Sequence, residues 1–117
     1  VKCTTTGATN WRVYHNGLTS SAYTIQLDQT NAQSNQTSIW NSTAPTASSF
    51  TVGADPSVNS LGDQYVAYLF AHDAGGFGLT GTDNVISCGV VNINSGAATS
   101  VNLGYEPQFL ILKPKDK

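Results

Sequence analysis

Short runs of β-branched and aromatic residues, separated by clusters of Gly, Asn, Asp and Pro, recur along the whole chain. Such runs are typical of β-strands joined by turns, whereas a helix needs a sustained apolar pattern with a period of about 3.6 residues. No helix N-cap residue precedes such a pattern in this sequence. With 117 residues, the chain is long enough for one domain and too short for two. The pattern therefore predicts a single all-β domain over residues 1–117.

Eight strands are predicted from these runs. They cover residues 11–15, 22–27, 38–40, 49–52, 65–71, 85–93, 100–103 and 108–113. Eight short strands fit a two-sheet antiparallel β-sandwich with a jelly-roll-like arrangement. Nearly every residue at 65–71 is apolar, so we expect this strand to be buried on both faces at the centre of a sheet. Asn16-Gly17 indicates a turn, and the glycine-rich span 73–83 predicts a loop.

Charged residues are few and unevenly placed in the sequence. They make up 10% of the chain, while Ser, Thr, Asn and Gln fill 42 positions. Residues 13–112 contain six carboxylates and no Lys or Arg, which would repel a phosphate backbone, so we expect no nucleic-acid partner. No apolar run approaches the roughly 18–20 residues that cross a bilayer, so we expect no membrane association. Neutral surfaces rich in hydroxyl and amide groups instead suit a subunit of an assembly.

The two cysteines, Cys3 and Cys88, are too few and too far apart to indicate a disulfide framework or a zinc site. Two cysteines still permit one disulfide bond. The favoured interpretation is two free thiols, each behaving as a small buried hydrophobic residue.

His72 and Asp73 have the residue types of a catalytic base and the carboxylate that orients it. No Gly-x-Ser-x-Gly motif accompanies them, and the second histidine, His15, is distant in the sequence. A histidine at the end of an apolar strand usually has a structural role, so both histidines are interpreted in that way. We therefore predict no catalytic residue, no enzymatic activity and no cofactor.

Asp55, Ser57, Asn59 and Asp63 place four oxygen-bearing side chains in one loop. Oxygen ligands of this kind are preferred by a hard cation such as Ca²⁺. The spacing departs from that of an EF-hand loop, which also ends in a Glu that is missing here. Together with Pro56, these departures favour a solvated Asp-Pro turn, and we predict no metal ligand.

Five aromatic residues would provide a platform for stacking sugar rings if they shared one exposed face. These residues are Trp11, Tyr14, Tyr23, Trp40 and Tyr105. In a small β-sandwich aromatic side chains more often lie in the core, and Tyr and Trp also suit subunit interfaces. The alternative function is therefore a carbohydrate-binding domain that attaches to a host-surface glycan, in which Trp11 or Trp40 contacts the sugar.

Four motifs resemble, in identity and order, those of a family of virion structural proteins of tailed bacteriophages. They are WRVYH at residues 11–15, WNSTAPT at 40–46, YVAYLFAHD at 65–73 and LGYEPQF at 103–109. Members of that family are often domains of tail-fibre or other particle components. The resemblance implies a non-enzymatic virion protein that acts as a capsid decoration, fibre or tail component. It also implies a homo-oligomer that binds other virion proteins.

The two ends of the chain also resemble this family. A strand like residues 109–113 is commonly followed there by a turn and a second strand like residues 11–15. We therefore expect that the chain is one period or one domain of a longer virion protein, or that its termini pair in one sheet. The chain departs from the family at residues 89–98, where relatives often carry a glycine-rich stretch.

Overall fold

The computed structural model describes residues 1–5, 7, 9–93 and 96–116. In that part of the chain the regular elements are β1 (Lys2–Cys3), β2 (Arg12–Val13), β3 (Tyr23–Gln26), β4 (Ser34–Asn35), α1 (Thr37–Trp40) and β5 (Tyr65–Val66). Every pair of strands is antiparallel. The all-β prediction is confirmed, since regular structure is strand apart from one four-residue helix. No helix in the described ranges has the length and apolarity to cross a bilayer.

The chain divides into two compact units. The first, which we call the strand unit, consists of Val1–Tyr68 and Lys113–Lys117 and contains all the elements named above. The second, which we call the loop unit, is Leu69–Leu112. A single domain with a jelly-roll-like sandwich stays a prediction.

Two antiparallel sheets build the strand unit. β3 is the central strand of a three-stranded sheet with β2 and β4, and β1 pairs with β5. Reciprocal hydrogen bonds connect Val1, the residue before β1, to Arg12 in β2. The Val1 nitrogen donates to the Arg12 carbonyl at 2.7 Å, and the Arg12 amide donates to the Val1 carbonyl at 2.9 Å. The two sheets are therefore joined edge to edge at this point.

The core of the strand unit lies around α1. Ile39 is fully buried and Trp40 is 4% exposed, and both pack against Val58. The ring of Tyr14 meets that of Trp40 edge-on, with ring centroids 6.4 Å apart and an interplanar angle of 80°. Val52 also packs against this cluster. Two consecutive helical residues thus supply two of the three buried residues of this cluster.

Close contact between backbones fixes α1 against residues 53–55. The Gly53 amide donates to the Ile39 carbonyl at 2.7 Å, and the Asp55 amide donates to the Ser38 carbonyl at 3.1 Å. A methyl group on Gly53 would overlap the Ser38 carbonyl oxygen, so this approach requires glycine. The helix ends at Asn41, whose φ of 51° lies in the left-handed region that Asn tolerates.

The strand predicted at residues 38–40 is wrong, because these residues belong to α1. The carbonyl groups of Ser38 and Ile39 accept hydrogen bonds from residues 53–55, and local β-propensity does not reveal these long-range contacts. The strand predicted at 49–52 is also wrong, since none of these residues pairs with a strand and residues 46–49 form a hydrogen-bonded turn. The Thr46 amide donates to the Ser49 carbonyl at 2.8 Å, and the Ser49 amide donates to the Thr46 hydroxyl at 3.0 Å.

The predicted core strand at residues 65–71 is wrong beyond Val66. Only Tyr65 and Val66 belong to β5, because its partner β1 is two residues long. The next large side chains, Tyr68, Leu69 and Phe70, are 66%, 72% and 59% exposed. An apolar run therefore enters the sheet for only two residues.

The loop unit lacks the strands predicted at residues 85–93, 100–103 and 108–113 in its described part. A run of β-forming residues becomes a strand only where another edge satisfies its backbone groups. Here the pairing is one isolated bridge between Phe77 and Asp83, with the Gly76 amide donating to the Gly81 carbonyl at 2.9 Å. This bridge closes the glycine-rich span, and the loop predicted at 73–83 is confirmed.

Candidate functional site

The oxygen-rich loop predicted from the sequence forms part of an open cleft in the strand unit, and most of the residues that line this cleft are polar. Three of its four residues, Asp55, Ser57 and Asp63, line the cleft, which has a volume of about 560 Å³. The fourth, Asn59, is used elsewhere, since its side-chain amide donates to the Gly53 carbonyl at 3.0 Å. The structure thus brings together most of this predicted group.

The carboxylate of Asp55 is satisfied by donors of the protein itself. Its Oδ1 accepts hydrogen bonds from the Ser57 amide at 2.9 Å and the Ser57 hydroxyl at 2.6 Å. Arg12 lines the same cleft, and its Nε donates to the Ser57 hydroxyl at 3.1 Å. Burial by itself raises the pKa of Asp55, but the Ser57 hydrogen bonds and the Arg12 charge outweigh burial and lower it. This geometry fits the predicted turn.

The described residues also contain no group of three or more His, Cys, Asp or Glu side chains arranged to hold a metal ion. Asp63, the second acidic residue of the cleft, accepts a hydrogen bond from the Thr5 hydroxyl at 2.9 Å. Both carboxylates of the cleft therefore stabilise the loops around it. Thr5 and Asp63 in particular join the segment after β1 to the segment before β5.

Stability at low pH is expected to depend on Asp55. A carboxylate whose pKa is lower in the folded chain stabilises the fold above its ordinary pKa of about 3.9. This stabilisation is lost as the pH falls through the lower folded-state pKa, because the unfolded chain takes up the proton first. Asp55→Asn should lower the urea midpoint at about pH 7. It should also flatten the acid limb, which is the part of the plot where the urea midpoint falls as the pH decreases.

The measurement is urea unfolding between about pH 7 and about pH 2. Ser57→Ala serves as a companion variant, because it keeps the carboxylate but removes its hydroxyl donor. We expect the acid limb of Ser57→Ala to move to higher pH, towards the ordinary pKa of an aspartate. Acid limbs of the same shape in Asp55→Asn and the native chain would contradict this assignment.

His72 and Asp73 lie together in the loop unit, with the imidazole Nε2 3.3 Å from the carboxylate Oδ2. The backbone amide of Cys88 donates to the other imidazole nitrogen, Nδ1, at 3.1 Å. With both nitrogens engaged, the ring has no nitrogen available to take a proton from a nucleophile. This arrangement favours the structural interpretation of His72.

Sequence reasoning missed the approach of Cys88 to this pair, because 16 positions separate Cys88 from His72. Burial raises the pKa of the Cys88 thiol, and the charge of Asp73 raises it further. A catalytic cysteine needs a lowered pKa, because the thiolate is the nucleophile. Cys88 is a free thiol, as predicted, but it is only half-buried, whereas Cys3 is buried as expected.

His15 has a comparable role in the strand unit. Its Nδ1 accepts a hydrogen bond from the Gly17 amide at 2.9 Å, and its carbonyl accepts one from the Leu18 amide at 3.0 Å. These bonds close the turn predicted at Asn16-Gly17, which is confirmed. In both histidines, Nδ1 thus accepts a hydrogen bond from a backbone amide.

The candidate aromatic residues do not form one platform. Trp40 is 4% exposed and lies in the core with Tyr14, so the interpretation of Trp40 as a sugar-contacting residue is wrong. Its position in α1 turns it inward, away from any ligand at the surface. Tyr23 is half-buried on β3, and Tyr105 lines a separate polar cleft of about 330 Å³ in the loop unit.

One aromatic pair does reach the surface of the strand unit. Trp11 stacks on Tyr68 with ring centroids 5.6 Å apart and an interplanar angle of 21°. Tyr68 is 66% exposed, so one side of the stack faces solvent. Sequence reasoning missed Tyr68, because it placed this residue within a strand buried on both faces.

The loop unit presents an extensive apolar surface. None of its described residues is buried. Its exposed large hydrophobic residues, from 46% to 105% exposed, are Leu69, Phe70, Phe77, Leu79, Val85, Val90, Ile93, Val101, Phe109, Leu110, Ile111 and Leu112. Large exposed apolar surfaces on a small protein mark sites of interaction. Folding of a single chain does not explain why these apolar side chains are exposed. Their exposure is therefore the most prominent unexplained feature of the described residues.

Together, these observations define a small all-β protein whose polar candidate residues make structural hydrogen bonds and whose loop unit displays an apolar surface. The chain belongs to the family described as Domain of unknown function (DUF7483), and the match covers residues 1–117. No match was found among curated proteins or among solved structures.

Proposed function

We propose that this chain is a non-enzymatic structural component of a tailed-bacteriophage particle: a capsid decoration, fibre or tail component. Its partners are further copies of itself and other virion proteins. The observation that carries the proposal is the apolar surface of the loop unit, which has twelve exposed large hydrophobic residues and no buried one in its described part. Burying one such side chain contributes about 1.5–3 kcal/mol, so contact with another subunit would be strongly favourable.

The charge of the loop unit supports assembly rather than a nucleic-acid or catalytic role. Residues 69–112 carry three carboxylates, Asp73, Asp83 and Glu106, and no Lys or Arg. Few charges therefore have to lose their hydration when this surface is covered, and desolvation of charge is the main cost of a buried interface. We propose that the predicted strands of this unit form against neighbouring subunits and complete the jelly-roll-like sandwich.

The resemblance of four ordered motifs to virion structural proteins supports the particle as the location. The test is peptide mapping of purified, density-banded virions by mass spectrometry. Chymotrypsin is the suitable protease, because residues 13–112 contain no Lys or Arg for trypsin. We expect peptides of this chain in amounts stoichiometric with other particle proteins. Its absence from particles, with its presence in the surrounding lysate, would contradict the proposal.

The stacked pair of Trp11 and Tyr68 favours a second candidate function, attachment to a host-surface glycan. An exposed aromatic face is suited to stacking on a sugar ring. If this function holds, Tyr68→Ala should weaken binding to host polysaccharide by about tenfold, equivalent to about 1.4 kcal/mol.

The stability of Tyr68→Ala should change little, because its side chain is mostly exposed. Phe50→Ala, which removes another exposed aromatic side chain of the strand unit, is the matched control and should bind normally. Equal binding by all three proteins would dismiss the glycan candidate.

A further inference from the structure

The turn between β2 and β3 contains a pair of residues that can react with each other. Asn16 is followed by Gly17, and no other asparagine in the sequence precedes a glycine. The backbone nitrogen after an asparagine can attack the side-chain carbon Cγ and close a succinimide ring. A side chain on that next residue hinders the attack, and glycine has none. Asn16-Gly17 is therefore the asparagine pair of this chain with the least hindrance.

His15 accepts the hydrogen that this attack must remove. The Gly17 amide donates to the His15 Nδ1 at 2.9 Å. A ring nitrogen that accepts such a bond carries no hydrogen of its own, so it is free to take the proton. A general base has to lie within about 2.6–3.2 Å of the atom that it deprotonates, and histidine is the side chain used most often in this role. The nucleophile and a base for it are therefore already in contact in the folded chain.

The side chain that would react is accessible and uncommitted. Asn16 is exposed, so water can reach its amide. Within the described residues its side chain makes no hydrogen bond, unlike that of Asn59, which donates to the Gly53 carbonyl at 3.0 Å. The Leu18 amide donates to the His15 carbonyl at 3.0 Å and closes the backbone around Asn16. The turn thus fixes the nucleophile and the base and leaves the side-chain amide free to rotate towards them.

We propose that Asn16 is a self-modification site that loses its side-chain amide as ammonia, with His15 as the general base. The Gly17 nitrogen forms a bond to the Asn16 Cγ while the His15 Nδ1 takes the proton from that nitrogen. The C–N bond of the side-chain amide then breaks, and His15 gives the proton to the departing nitrogen, which leaves as ammonia. Water adds to either carbonyl of the succinimide and opens the ring to aspartate or isoaspartate. No group is oxidised or reduced.

The products change the turn that joins β2 to β3. Both carry a new carboxylate, and isoaspartate also adds a methylene group to the main chain. Leu18, which follows in the same turn, is 8% exposed, and a longer main chain displaces it from this buried position. The modified chain should therefore unfold at a lower urea concentration. Each chain reacts once without turnover, so the reaction is independent of the proposed assembly.

The test follows the loss of ammonia from the full folded chain in neutral buffer, by mass spectrometry of chymotryptic peptides that contain residue 16. The decisive variant is His15→Asn. The asparagine Oδ1 corresponds in position to the imidazole Nδ1 and accepts the same hydrogen bond, but it does not take a proton. Asn102 shows this bond, since its Oδ1 accepts from the Gly104 amide at 2.9 Å. We expect His15→Asn to keep the turn and to slow the reaction at residue 16 by about tenfold or more.

Unfolding the native chain separates the action of His15 from the ordinary reactivity of an Asn-Gly pair. In guanidinium chloride the contact between His15 and Gly17 is lost, so residue 16 should react more slowly in the unfolded chain than in the folded chain. Asn41, which is exposed and precedes a serine, is the internal control and should react equally in the native chain and in His15→Asn.

Two results would each overturn the proposal. One is a reaction at residue 16 that is as fast in the unfolded chain as in the folded chain. The other is a native rate in His15→Asn, which would mean that His15 only holds the turn. The comparison of folded and unfolded native chain needs no substitution, so it decides the matter even if His15→Asn fails to fold.

Discussion

Trp40→Ala is expected to lower the free energy of unfolding by about 3–5 kcal/mol. The side chain is 4% exposed and packs with Ile39, Val58 and the ring of Tyr14, so truncation leaves a cavity at the centre of the core. A domain of this size is stable by only about 5–15 kcal/mol, and one substitution would remove a large share. Urea unfolding followed by circular dichroism measures the loss without relying on tryptophan fluorescence.

Two controls show whether the core position, rather than the residue type, causes this loss. Trp11→Ala removes the other tryptophan, which is half-buried and stacks on exposed Tyr68, and it should cost only about 1 kcal/mol. Trp40→Phe keeps an aromatic ring but removes the indole N–H, which is buried and has no hydrogen-bond partner among the described residues. Because an unsatisfied buried donor is unfavourable by about 1–3 kcal/mol, Trp40→Phe should destabilise far less than Trp40→Ala. Equal losses for Trp40→Ala and Trp11→Ala would contradict the placement of the core.

The strands that sequence patterns predicted well are those with partners on the same stretch of chain. The strand predicted at residues 22–27 is β3, and the one predicted at 11–15 contains β2, to which β3 pairs. A turn that starts at Asn16-Gly17 lies between them, and its chemistry is local. Turn residues and β-branched runs therefore carried enough information to place β2 and β3. The third strand of this sheet, β4, was missed although it pairs with the nearby β3, because Ser34 and Asn35 have low β-propensity.

Elements with distant partners were predicted poorly. β1 pairs with β5 across more than 60 positions, and neither its existence nor the short length of β5 has a local signal. The sequence Ser38-Ile39-Trp40 favours a strand by propensity, but hydrogen bonds from residues 53–55 hold it as a helix. Tertiary contacts override weak local preferences in such segments.

The candidate site shows the same division. Asp55 and Ser57 are two positions apart, so their contact follows from the Asp-Pro turn that the sequence predicts. The approach of Cys88 to His72 and the stack of Tyr68 on Trp11 join residues far apart in the chain. Patterns within a short window contain no information about such pairs. The apolar runs of the loop unit were recognised, but their exposure was not, because a strand pattern does not say which chain will cover it.

Gly53→Ala is expected to lower the free energy of unfolding by about 3 kcal/mol, far more than an ordinary glycine-to-alanine change. The added methyl group would overlap the Ser38 carbonyl oxygen, which belongs to the rigid backbone of α1 and cannot turn aside like a side chain. Moving residue 53 away would also break its 2.7 Å hydrogen bond to the Ile39 carbonyl. Urea midpoints measured beside those of the native chain give the size of the effect.

Gly89→Ala is the matched control for this substitution. No atom lies within 4 Å of the position of a methyl group at residue 89, and its φ is outside the left-handed region. Alanine there should therefore change stability by less than about 1 kcal/mol, with a gain favoured because it restricts the unfolded chain. If Gly53→Ala costs no more than Gly89→Ala, α1 can shift without disturbing Ile39 and Trp40. The core would then depend on side-chain burial alone, and the contact between α1 and residues 53–55 would follow from that burial.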